Sequence, residues 1–150
     1  MRNTFVILIL LFPLLIAKSV EKIESDAVKN DTMSYTVKIT VAGKTYTAIL
    51  PDNETTKAFK SMLPLKVVMT ELNGNEKFCR LPNNLPVNAS DPGTINSGDL
   101  MLYGSNTLVL FYKTFPTSYS YTRLGKIDNS TGLASTLGTG SVTVEWLLVK

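Results

Sequence analysis

Asn73-Gly74 stands between two strand-like runs, Leu65–Leu72 and Glu76–Leu81, and constrains the fold more tightly than any other pair in the chain. Both central residues of a two-residue hairpin turn need a positive φ, which asparagine and glycine reach at least cost, so the runs are predicted to be antiparallel neighbours. Similar signals recur on both sides. Tyr35, Val37, Ile39 and Val41 alternate with Ser34, Thr36, Lys38 and Thr40, the two-residue period of a half-buried strand. Ala42-Gly43 turns the chain into a second strand, Lys44–Leu50. Asp99–Tyr103 and Thr107–Tyr112 flank Gly104-Ser105-Asn106, and the apolar run Leu108–Phe111 predicts a strand buried on both faces. Tyr121–Ile127 is a further strand. Ser141–Val149 ends the pattern, with Val142, Val144, Trp146 and Leu148 on one face.

Two short helices interrupt the strands. Asp52-Asn53 can cap Glu54–Leu63, whose Ala58, Phe59, Met62 and Leu63 share a face before Pro64 stops it. Ser130–Leu137 places Leu133, Ala134 and Leu137 together and ends at Gly138. Between Pro82 and Ser97 the chain is rich in proline and asparagine and reads as a long irregular connection, which is either functional or merely long. A mainly β fold with about eight strands must deal with its exposed edges. Closing the sheet removes them, and eight strands suit a small barrel filled by its own side chains. The expected architecture is a closed eight-stranded β-barrel with two short capping helices.

Composition narrows the chemistry. The 150 residues contain one cysteine and no histidine, so Ser-His-Asp and Cys-His catalysis and histidine-ligated metals are excluded. Cys79 alone can form neither an internal disulfide nor a multi-cysteine metal site, and it reads as a core residue rather than a reactive thiol. No cofactor and no metal are expected. Asp91 and Asp99 could suggest a carboxylate pair, but nothing in the sequence sets their separation.

Met1–Ser19 reads as an export signal, with Arg2 as its positive end and Phe5–Ala17 as an apolar run. Ala17-Lys18-Ser19 offers small residues for cleavage. The alternative is an uncleaved anchor, but 13 apolar residues are short of the roughly 20 needed to span a bilayer. Removing Arg2 and Lys18 from 15 basic residues leaves 13 against 12 acidic ones, a net charge of +1. Nucleic-acid binding therefore loses its main support. Residues 20–32 are polar and aperiodic and read as a linker, leaving 33–150 as the domain. The protein is expected to be exported, periplasmic or secreted, with membrane contact only through an uncleaved leader.

In order along the chain, the elements β-β-α-β-β-β-β-β-α-β resemble the cyclophilin fold. "DNETTKAFKSML" (Asp52–Leu63) is similar to the first cyclophilin helix, and "FCRLP" (Phe78–Pro82) to the segment carrying that family's catalytic arginine. "GDLMLYG" (Gly98–Gly104), "LVLFY" (Leu108–Tyr112) and "LGKI" (Leu124–Ile127) resemble later strands. "DNETTKAF", "ELNGNEKF" and "SYSYTRLGKID" are similar to a bacterial cyclophilin-like group that shares the barrel without an established common activity.

The resemblance implies a groove. Prolyl isomerisation needs no acid, base or metal, only a donor to the pyramidalising nitrogen and an apolar slot, and Arg80 is the residue that would supply the donor. Its alternative role is an ion pair with a carboxylate such as Glu76. By the same resemblance the family's groove phenylalanines fall near Leu85 and Tyr112, its histidine near Tyr121, and its glutamine at Leu110 or a neighbour. Tyr103, Tyr112, Tyr119 and Tyr121 would line a shallow groove, or else pack ordinarily within the barrel and an exposed loop. An arginine without its glutamine partner positions a substrate carbonyl poorly. The reading is therefore a non-enzymatic module binding a peptide or small molecule near Arg80, Leu85, Tyr103, Tyr112 and Tyr121. A weak extracytoplasmic peptidyl-prolyl isomerase using Arg80 is the alternative.

Overall fold

The computed structural model describes residues 33–149. The expected signal at 1–19 and linker at 20–32 lie outside those residues, as does residue 150. Strands β1 (Ser34–Val41) and β2 (Lys44–Pro51) meet at a turn with positive φ at both Ala42 and Gly43. Val37, Ile39, Val41, Ala48 and Leu50 are fully buried, so the alternating pattern does mark the inner face.

Helix α1 (Glu54–Lys60) starts on a reciprocal cap: Asn53 Oδ1 accepts from the Thr56 amide at 2.9 Å, and Thr56 Oγ1 accepts from the Asn53 amide at 3.1 Å. It ends three residues before the predicted Leu63. The amides of Met62 and Leu63 donate instead to Phe59 and Lys60, a tightened last turn ahead of Pro64. Phe59 is buried in the barrel core, edge-on to Trp146 with ring centroids 5.9 Å apart.

Strands β3 (Leu65–Leu72) and β4 (Glu76–Arg80) form the expected hairpin, but with Leu72 paired to Glu76 its loop has three residues, Asn73–Asn75, rather than two; φ is 56° at Asn73 and 66° at Gly74. After a long connection come β5 (Thr94–Ile95), β6 (Asp99–Tyr103), β7 (Thr107–Phe111), β8 (Phe115–Pro116) and β9 (Thr122–Ile127). Helix α2 (Leu133–Leu137), three residues shorter at its start than predicted because Gly132 has a φ of 75°, leads to β10 (Val142–Leu148). Eight of these strands close into a barrel in the order β1-β10-β3-β4-β7-β6-β9-β2. β5 and β8 pair with each other outside it; β5 falls within the connection expected to be irregular, and β8 in a stretch where no element is predicted. Among the described residues no helix is long and apolar enough to cross a membrane.

The β6–β7 wall separates two apolar clusters. Leu100, Leu102, Leu108 and Leu110 face the barrel core, whereas Met101, Val109 and Phe111 join Ile95 and Tyr121 on the outer side. The unbroken apolar run of β7 is thus explained by burial on both faces. Cys79 lies in the core, where burial pushes its thiol up to about 11. Opposite Glu71 on the inner face sits Lys77, fully buried, donating to Glu71 Oε2 and to the carbonyls of Gly138 at 2.8 Å and Gly140 at 2.6 Å. This ammonium ties the β3–β4 hairpin to the connection between α2 and β10.

Candidate functional site

With Lys77 and Cys79 turned inward, the two-residue period turns Glu76, Phe78 and Arg80 outward. Their partners across β7 are Phe111, Val109 and Thr107, and Tyr103 on β6 lies opposite Thr107. Above this floor rises the segment Phe115–Tyr121. The result is a groove of about 580 Å³ on the outside of the barrel, within the range of ligand pockets. Leu72, Asn73 and Asn75 of the hairpin form its end beyond Glu76.

The wall is held by the long connection after β4. Tyr121 and Ser90 exchange backbone hydrogen bonds at 3.0 Å in each direction, the Thr117 amide donates to Gly93 O at 3.0 Å, and β5 pairs with β8. Ring contacts then run from Tyr119 to Tyr103 (6.5 Å), Tyr103 to Tyr121 (5.8 Å), Tyr121 to Phe111 (5.6 Å) and Phe111 to Phe115 (5.6 Å). Tyr121 is 8% exposed, while Tyr103 and Tyr119 are 49% and 65% exposed, so a fixed base carries open tips. Such side chains offer apolar faces and polar ends to a ligand.

Three of the five residues proposed from sequence, Arg80, Tyr103 and Tyr121, meet at this groove, together with Tyr119. Leu85 and Tyr112 do not line it and are corrected. Leu85 is 4% exposed within the main core, its amide bonded to Ser105 O at 2.7 Å. Tyr112 follows the end of β7 and also belongs to that core; its hydroxyl donates to Glu71 Oε1 at 2.7 Å. Burial, reinforced by that hydrogen bond, pushes the Tyr112 phenol up to about 12.

Arg80 is exposed and makes no ion pair among the described residues. The partner considered for it, Glu76, sits about 13 Å away along the strand. Sequence reasoning treated Glu76 only as that partner and overlooked its place in the groove. Burial, and next the charge of Glu71, push its carboxyl up to about 7. Glu71 behaves oppositely: burial alone would raise it, but hydrogen bonds from Lys77 and Tyr112 with the Lys77 charge hold it below the usual carboxylate value. Phe78, Phe115 and Asn75 were likewise missed. The alternation of Glu76, Phe78 and Arg80 against Lys77 and Cys79 was the available signal, but it does not by itself say which set faces out.

Asp99, the other acid weighed from sequence, is 3% exposed; it accepts from the Asn96 amide at 2.8 Å and from Arg123 at 3.3 Å, so its role is to fix a turn. Among the described residues no three histidine, cysteine, aspartate or glutamate side chains come together to hold a metal. What the groove offers is an aromatic surface with a cation at one end and a titratable carboxyl at the other.

Comparison with known sequences agrees with the barrel. A search of the curated proteins finds no match. Residues 39–147 match the family described as cyclophilin-like, a span running from within β1 to within β10. The chain belongs to the cyclophilin-like family.

Proposed function

We propose that this barrel is an exported, non-enzymatic binding module whose groove holds an extended peptide segment. The observation that carries the reading is the row of outward aromatic side chains, Phe78, Tyr103, Phe115, Tyr119 and Tyr121, ending in an Arg80 that no described carboxylate neutralises. A guanidinium in that position is free to donate to peptide carbonyls or a carboxylate, and the rings supply apolar contact. Export is supported by the leader-like Met1–Ser19. An unpartnered core cysteine is compatible with an oxidising compartment.

The test is affinity selection by the full chain from pools of random hexapeptides. Saturable retention is expected, and Tyr121→Ala should weaken it by tenfold or more, since one well-packed aromatic contributes about 1.4 kcal/mol or above. Retention indifferent to both Tyr121→Ala and Tyr103→Ala would overturn the groove assignment.

Arg80, without an ion pair among the described residues, also favours a second reading, a weak prolyl isomerase. In a protease-coupled assay on a cis-enriched X-Pro peptide, acceleration that disappears in Arg80→Ala would establish it. No acceleration at micromolar protein would remove it.

A further inference from the structure

The hairpin end of the groove holds an acidic side chain, Glu76, with no donor of its own among the described residues. The neighbouring Asn75 turns its Oδ1 inward, buried and without a hydrogen-bond partner among the described residues, so that oxygen is out of a ligand's reach. Its backbone is fixed, since its amide donates to Leu72 O at 3.3 Å and its carbonyl accepts from the Tyr112 amide at 3.0 Å. Beside it, the half-buried Glu76 carboxyl has neither a hydrogen bond nor an ion pair among the described residues. A partly desolvated carboxylate without a partner is costly to keep ionised, so Glu76 calls for a cationic donor from outside.

The protein's own cations are committed elsewhere or distant. Lys77 points to the opposite face and spends its protons on Glu71, Gly138 and Gly140. Arg80 lies about 13 Å along β4. The Tyr112 hydroxyl is donated to Glu71. Meanwhile Phe78, Phe115 and Tyr121 line the same groove and offer ring faces that attract a cation. From this arrangement we infer that the Asn75–Glu76 end is a subsite for a lysine side chain of the bound peptide. The ammonium donates to the Glu76 carboxylate, and the methylene stem lies along the aromatic rings. A compact ammonium on a flexible apolar stem can reach the carboxylate while the stem follows the rings.

This inference rests on the peptide-binding reading, and it adds a pH dependence. The groups facing Glu76 are Glu71 from β3, with its Lys77 partner, Tyr112 beyond β7 and Tyr121 from the groove wall. Burial raises both tyrosines, and hydrogen bonds from Lys77 and Tyr112 hold Glu71 below the usual carboxylate value, so Glu76 is the shifted group that changes near neutral pH. Lysine selection should therefore strengthen from pH 6 to pH 8.

The experiment uses the full chain and hexapeptide pools randomised everywhere except one central position, fixed as lysine or as its neutral near-isostere norleucine. At pH 8 the lysine pool should be retained about tenfold more than the norleucine pool. That ratio should approach one in Glu76→Gln and shrink at pH 6. Equal retention of the two pools, abolished by Tyr121→Ala, would overturn the lysine subsite while leaving the groove reading intact. No retention of either pool above background would overturn both. A preference for lysine that survives in Glu76→Gln and is unchanged at pH 6 would place the basic side chain elsewhere and so overturn the assignment.

Discussion

Glu76 couples the groove to stability. Its carboxyl rises from an ordinary 4.5 to about 7 on folding, so between those pH values the folded chain keeps a proton that the unfolded chain has released. Stability must then fall as pH rises through the window and level off above it. Glutamine removes this liability. Glu76→Gln should match the wild type near pH 4 and exceed it at pH 8 by about 1–2 kcal/mol, a figure reduced because the group is only half-buried. Urea unfolding at both pH values checks this, and equal stabilities at pH 8 would mean the carboxyl is not destabilised by the fold. Lys77 and Glu76 also show where single-residue legibility ends. Adjacent charged residues on a strand must face opposite ways, and the pattern alone does not say which of the two turns outward. The ammonium goes inward because Glu71, directly across the hairpin, and two backbone carbonyls satisfy it there.

Local patterning made most of the elements readable. The turn at Asn73-Gly74 has the positive φ values its residues foretell, and α1 begins at the cap that Asn53 supplies. The groove wall was not readable, because β5 and β8 are two residues each and exist through pairing across a gap of about twenty residues rather than through any pattern of their own. Leu85 and Tyr112 were placed in the groove by resemblance, whereas their surroundings in this chain draw both into the core. Gly125 carries a sharper element-scale prediction. Strand β9 passes β2 so closely there that an added Cβ would lie 2.3 Å from Ile49 O, and its φ of 155° is one that side chains rarely adopt. Gly125→Ala must push the two strands apart and should cost about 3 kcal/mol, lowering Tm by roughly 10–15 °C in a thermal melt. A melt unchanged from wild type would show that the β2–β9 contact has slack the packing does not suggest.

Across the whole molecule, stability and binding draw on different sides of one wall. The barrel core centres on residues such as Trp146, Phe59, Ile39 and Leu50, while the groove rests on the outer cluster of Ile95, Met101, Val109, Phe111 and Tyr121. β10, which bears Trp146, lies between β1 and β3, three positions around the barrel from β7. A closed barrel transmits little strain that far if its strand order is kept. Trp146→Ala removes a 1%-exposed ring and its contact with Phe59, so it should destabilise the fold by about 3–5 kcal/mol. Under conditions where that variant is still folded, its retention of hexapeptides should equal that of the wild type within a factor of two. Tyr121→Ala should show the complementary result, a tenfold or greater loss of retention with a smaller loss of stability, because part of its ring faces the groove rather than the core. If instead Trp146→Ala lost binding in proportion to its lost stability, the groove would depend on the tightness of the entire barrel, and the division of labour between the two clusters would be wrong.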